Sequence, residues 1–159
     1  MANRNWLEMY SFLFEETTRD ILKNENYLGL LYESCLARNS KLAHAILRTR
    51  FNINYDGEVR SIYHGFFKHP LILAVELDNL LFVKLFCYYG ANVNVRNIFS
   101  DTSLHIAVIS NRTNIAQTLL EYGADPNAIN DDEISPYQIS LYTGNYYMQK
   151  LLENYMVNC

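Results

Sequence analysis

The strongest constraint on this chain is that it matches itself at a shift of 33 residues. That shift lays Leu85-Phe86-Cys87-Tyr88-Tyr89-Gly90-Ala91-Asn92-Val93-Asn94 onto Thr118-Leu119-Leu120-Glu121-Tyr122-Gly123-Ala124-Asp125-Pro126-Asn127. It also superposes His69-Pro70-Leu71-Ile72-Leu73-Ala74, Thr102-Ser103-Leu104-His105-Ile106-Ala107 and Ser135-Pro136-Tyr137-Gln138-Ile139-Ser140. A period of roughly 20–50 residues marks a chain built of supersecondary units, each of which buries its apolar face only against its neighbours. With 159 residues, half of them apolar, the chain suits one such stack with a real core and excludes a disordered polymer.

The residue types within the period fit paired helices. Helical spacing places Leu104, Ala107 and Val108 on one face, opposite Ile115, Leu119 and Leu120 of the next helix. Ala74 and Ala107 let the paired helices approach closely. Gly90 and Gly123 follow the second helix, where a left-handed cap is wanted. Gly144, Asn111 and Asp78 occupy the turn between helices, and Asn and Asp are the residues next most tolerant of that conformation. A shift of 40 aligns Asn52-Ile53-Asn54 with Asn92-Val93-Asn94 and Leu31 with Leu71, which predicts a first unit carrying seven extra residues between Asn54 and His69. Before residue 30, Trp6, Met9, Tyr10 and Leu13 fall at i, i+3, i+4 and i+7, the pattern of an amphipathic capping helix.

The two recurring signatures resemble the Thr-Pro-Leu-His-x-Ala opening and the Leu-Leu-x-x-Gly-Ala-Asp-x-Asn close of the ankyrin repeat, over about residues 30 to 154. The resemblance implies an all-α solenoid of paired antiparallel helices with β-turn fingers. The expected layout is an N-terminal helical cap over 1–29, a stack over 30–154 with repeats at about 30–68, 69–101, 102–134 and 135–154, and a tail over 155–159. It gives His105 a structural role, bracing the turns between repeats, and His69, which replaces the opening Thr, a similar one. Partners are implied to meet the concave side, built from finger tips and first-helix edges. The tips map to Ile98 and Phe99 and to Asp131 and Asp132, and the edges to Glu76 and Leu77, Ile109 and Ser110, and Tyr142 and Thr143. Ile98 and Phe99 are apolar where tips are usually polar, so they either touch a partner or pack on the long first finger. That finger carries Tyr63, Phe66 and Phe67, either as interface anchors or as a cover over the first repeats. Ser100 and Glu133 replace the Gly that usually closes the finger, which leaves the finger conformation open.

Other chemistry finds little support. Thirteen Lys and Arg against seventeen Asp and Glu give a formal charge of −4, which argues against a nucleic-acid partner. Cys35, Cys87 and Cys159 are far apart, with no CxxC pair for a metal or a disulfide framework. Cys35 aligns with Val75 and Val108, and Cys87 with Leu120, so both read as small core residues. No Gly-rich phosphate loop and no recurring nucleophile and base spacing appear, so neither catalysis nor a cofactor is expected. No stretch approaches the ~20 apolar residues of a membrane helix, and the apolar run from Trp6 to Phe14 is broken by Glu8, unlike a secretory leader.

The expectation is therefore a monomeric, cytoplasmic protein, with the nucleus as second option, that binds and regulates another protein without catalysis. A bare stack of this size is similar to small ankyrin regulators of cell-cycle kinases and DNA replication, so a protein kinase is the expected partner. The alternative is a short mimic of the inhibitors of Rel factors, masking a transcription factor.

Overall fold

A computed structural model of the chain describes residues 27–49, 52–54 and 69–156. Within them lie eight helices: α1 (Tyr27–Leu36), α2 (Ser40–Leu47), α3 (Pro70–Glu76), α4 (Leu80–Tyr88), α5 (Ser103–Ile109), α6 (Thr113–Glu121), α7 (Pro136–Thr143) and α8 (Tyr146–Met156). Consecutive helices pair, and the pairs stack so that α1, α3, α5 and α7 form one layer and α2, α4, α6 and α8 the other. This is the all-α solenoid that the resemblance implied. The capping helix expected before residue 30 and the inserted finger at 55–68 lie outside the described residues.

Side-chain caps start six of the eight helices. His69 Nδ1 accepts from Leu71 N at 3.2 Å with Pro70 in the first helical turn, while Thr102 and Ser135 make reciprocal capping boxes with His105 and Gln138. Asn39, Asn79 and Asn145 cap the second helices α2, α4 and α8 through Oδ1, at 3.1, 3.4 and 3.0 Å. Helix α6 has no side-chain cap, because Arg112 at its start carries donors only; its guanidinium reaches back to the Val75 carbonyl and to Asp78, 3.5 Å away.

The turn within each pair needs one left-handed residue. Asp78, Asn111 and Gly144 adopt φ of 52°, 56° and 66°, as their identities predicted, and Arg38 does so at 53° without that help. Each is followed by an amide that closes on a carbonyl five residues back, for example Arg112 N to Ala107 O at 2.8 Å and Asn39 N to Ser34 O at 2.8 Å. That closure satisfies carbonyls the helix end would otherwise orphan, and it offsets the ~1–2 kcal/mol an L-residue loses in this conformation.

The core runs continuously through all four pairs. Leu31, Leu71, Leu104 and Ile115 are fully buried within it, beside Ala74 and Ala107, whose small side chains set the helix separation. Phe82 and Phe86 meet edge to face with centroids 5.6 Å apart. Burial pushes the Cys35 thiol up to about 12 and the Cys87 thiol up to about 11, so both stay protonated and pack as apolar residues.

Candidate protein-binding surface

The fingers keep their shape without the closing Gly. In the second finger Asn97 Oδ1 accepts from Phe99 N and Asp101 N, both at 2.9 Å, while Asn97 N donates to Asp101 O at 2.9 Å. Ser100 sits in the left-handed region at φ 60° and donates its amide to Asn97 O at 3.0 Å. The third finger repeats this set: Asn130 Oδ1 accepts from Asp132 N at 3.1 Å and Ile134 N at 3.0 Å, and Glu133 stands at φ 59°. Several hydrogen bonds of about 0.5–1.5 kcal/mol each outweigh one strained residue.

Adjacent fingers are tied side by side. Asp131 N donates to Phe99 O at 3.2 Å, Asn130 Nδ2 donates to Asp101 Oδ1 at 2.8 Å, and the Arg96 guanidinium bridges the Ser100 and Ile129 carbonyls. Beneath them, buried His105 accepts from Thr102 N at Nδ1 (3.1 Å), which leaves the Nε2 proton to donate to Ile134 O at 3.0 Å. Burial lowers the His105 pKa, opposed chiefly by the Ile134 carbonyl, so the ring is a neutral brace between repeats. Burial likewise lowers His69, to about 4, against an opposing contribution from the Ile53 carbonyl.

The expected binding residues within the described segments can now be placed. Ile98 and Phe99 are 80% and 62% exposed, and the long first finger that was the alternative cover for them lies outside the described residues. Asp131 and Asp132 are exposed beside them. At the first-helix ends Ile109 is 57% and Tyr142 79% exposed, and Ser110 is exposed as well. Leu77 differs, because it is half-buried against the core, and Glu76 is half-buried too. Tyr63, Phe66 and Phe67 lie outside the described residues.

Sequence reasoning overlooked the asparagines that align this surface. Asn94 donates from Nδ2 to Gly123 O at 3.2 Å and accepts from Asp125 N at 2.9 Å, clamping one repeat to the next. Asn54 does the same one repeat earlier, with Gly90 O at 2.8 Å and Asn92 N at 2.6 Å. Their recurrence at the 40-residue shift, in Asn52-Ile53-Asn54 and Asn92-Val93-Asn94, was the available signal. Among the described residues no group of three His, Cys, Asp or Glu side chains could hold a metal ion, and no helix is long and apolar enough to cross a membrane.

A family model described as ankyrin repeats (3 copies) matches residues 31–130, well over half of the chain. The chain therefore belongs to the ankyrin-repeat family. An ankyrin repeat protein of Fowlpox virus (strain NVSL) is 30% identical over 169 residues, covering 98% of this chain and 46% of that protein. Protein phosphatase 1 regulatory subunit 27 of Homo sapiens is 44% identical over 59 residues, covering 37% of this chain and 38% of that protein. SH3 and multiple ankyrin repeat domains protein 2 of Homo sapiens is 24% identical over 87 residues, 55% of this chain and 5% of that protein. The chain thus spans less than half the length of each of these relatives.

Proposed function

We propose that the chain is a non-catalytic module that binds and regulates another protein through its finger tips and first-helix ends. The observation that carries this reading is the exposed Ile98 and Phe99 pair on a tip held rigid by Asn97 and by the Phe99 to Asp131 bond. Apolar side chains on a hydrogen-bonded tip lose little conformational freedom on docking, which is what makes an interface anchor effective. Ile109 and Tyr142 extend the apolar component along the first-helix layer, and Asp131 and Asp132 add a polar rim.

The partner class we propose is an enzyme of protein phosphorylation. Small ankyrin stacks that regulate cell-cycle kinases share this architecture, and one relative is a regulatory subunit of a protein phosphatase. A role in the cell cycle or in DNA replication rests on repeat number alone.

Affinity capture from native extract with mass spectrometry tests this, using wild type beside an Ile98→Asp, Phe99→Asp double variant. The expected result is a kinase or phosphatase recovered by wild type and lost by a variant with unchanged melting temperature. Capture that survives in the folded variant would refute the assignment of the tips. Recovery of a Rel-type factor would move the function to transcription-factor masking.

A further inference from the structure

The outer face of the first two repeats differs from that of the third. On α2, Lys41, His44, Ala45 and Arg48 follow one another at i, i+3, i+4 and i+7, and on α4 the matching positions are Leu81, Lys84, Leu85 and Tyr88. The two stripes run side by side and enclose an open groove of about 490 Å³, lined by Lys41, His44, Ala45, Arg48, Leu81 and Leu85.

These positions depart from the ordinary use of an outer helix face. One repeat further on they are Asn114, Gln117, Thr118 and Glu121, polar residues partly bonded to one another, with Gln117 Nε2 donating to Glu121 Oε1 at 2.9 Å. In the groove, by contrast, Leu81 is 60% exposed, and Tyr88 further along α4 is exposed as well. Lys41, Arg48 and Lys84 are exposed and form no ion pair among the described residues, and neither α2 nor α4 contains an Asp or Glu. A chain of net charge −4 thus concentrates unpaired cations around an apolar floor.

We infer that the groove between α2 and α4 docks an acidic amphipathic segment of a partner protein, its carboxylates against Lys41, Arg48 and Lys84 and its apolar side chains on Leu81 and Leu85. Charge complementarity selects an acidic occupant, and the leucine floor selects one with apolar side chains over a phosphate backbone, which offers none. The stripes cover eight residues, about 10 Å of helix, so a segment of two to three turns fills them. This surface is separate from the finger tips, and either can fail without the other.

The test uses the full chain and a fluorescein-labelled acidic peptide of about 14 residues, two repeats of Glu-Leu-Leu-Glu-Glu-Phe-Glu, so that two to three turns can lie in the groove with the ends beyond it. Fluorescence anisotropy should show saturable binding that weakens as salt rises. Binding should weaken at least about tenfold in a Lys41→Glu, Arg48→Glu variant and several-fold in Leu81→Ser. All three side chains are exposed, so melting temperatures should hold, and the Ile98→Asp, Phe99→Asp variant should bind the peptide normally. No saturable binding to wild type, or affinity unmoved by these variants, would overturn the inference. So would an oligothymidylate of equal charge that binds as tightly and loses the same groove variants, because the groove would then be a phosphate site. Sedimentation showing wild-type self-association that the charge reversal abolishes would assign the groove to a second copy instead.

Discussion

Replacing His105 tests how far the repeats depend on one another. His105→Ala removes the Nδ1 acceptor of the buried Thr102 amide and the Nε2 donor to Ile134 O, and it leaves a cavity where a fully buried ring stood. A buried amide left without a partner costs about 1–3 kcal/mol, and the lost inter-repeat bond and the cavity bring the expected loss to about 3–5 kcal/mol. The protein carries its own control at the next repeat, where Gln138 Oε1 accepts from Ser135 N at 2.8 Å in the same capping role. His105→Gln should therefore keep the cap, lose the bridge to Ile134, and cost only about 1–2 kcal/mol. Urea unfolding followed by far-ultraviolet circular dichroism measures both. Equal losses for the two variants would show that the capping bond contributes nothing, and two unchanged midpoints would refute the brace altogether.

Three further outcomes are expected. His69 takes a proton near 6.5 in the unfolded chain but only at about 4 in the fold, so its contribution is complete above about pH 6.5 and is lost as pH falls toward 4; His69→Thr, which keeps a cap, should flatten that part of the acid dependence of the urea midpoint. Gly123 stands at φ +88° with no atom within 4 Å of an added Cβ, so Gly123→Ala should cost about 1–2 kcal/mol through backbone strain alone and Gly123→Val more, and an unchanged melt for Val would contradict the left-handed cap. Asn94→Ala should cost about 1–2 kcal/mol by removing both bonds of its clamp, whereas Asn94→Asp, which keeps the acceptor for Asp125 N, should cost about half as much in the same unfolding assay.

The helices and their turns were legible because they follow from residue type at a fixed period. Asp78, Asn111 and Gly144 were read as left-handed turns, and Cys35 and Cys87 as core, from their alignment alone. The fingers were harder to read, since their shape depends on side-chain bonds that a pattern does not contain. Ser100 and Glu133 break the glycine rule, and only the Asn97 and Asn130 bonds show why the turn survives. Leu77 reads as an exposed edge yet is half-buried against the core, while Ile98 and Phe99 stand exposed on their tip. Burial at such positions depends on how neighbouring repeats pack, which no single repeat encodes. The α2 and α4 groove is not legible in the sequence for a related reason: it exists only where stacking sets Leu81 and Leu85 of α4 beside Lys41 and Arg48.

Hydrogen exchange on the purified chain alone and with its captured partner tests the central claim most directly. The account predicts slowed exchange at residues 96–101 and 129–134, the two tied fingers, and at Ile109 and Ser110 at the end of α5, with α6 and α8 unchanged. Slowing confined to α6 and α8, with the fingers exchanging as in the free chain, would contradict it.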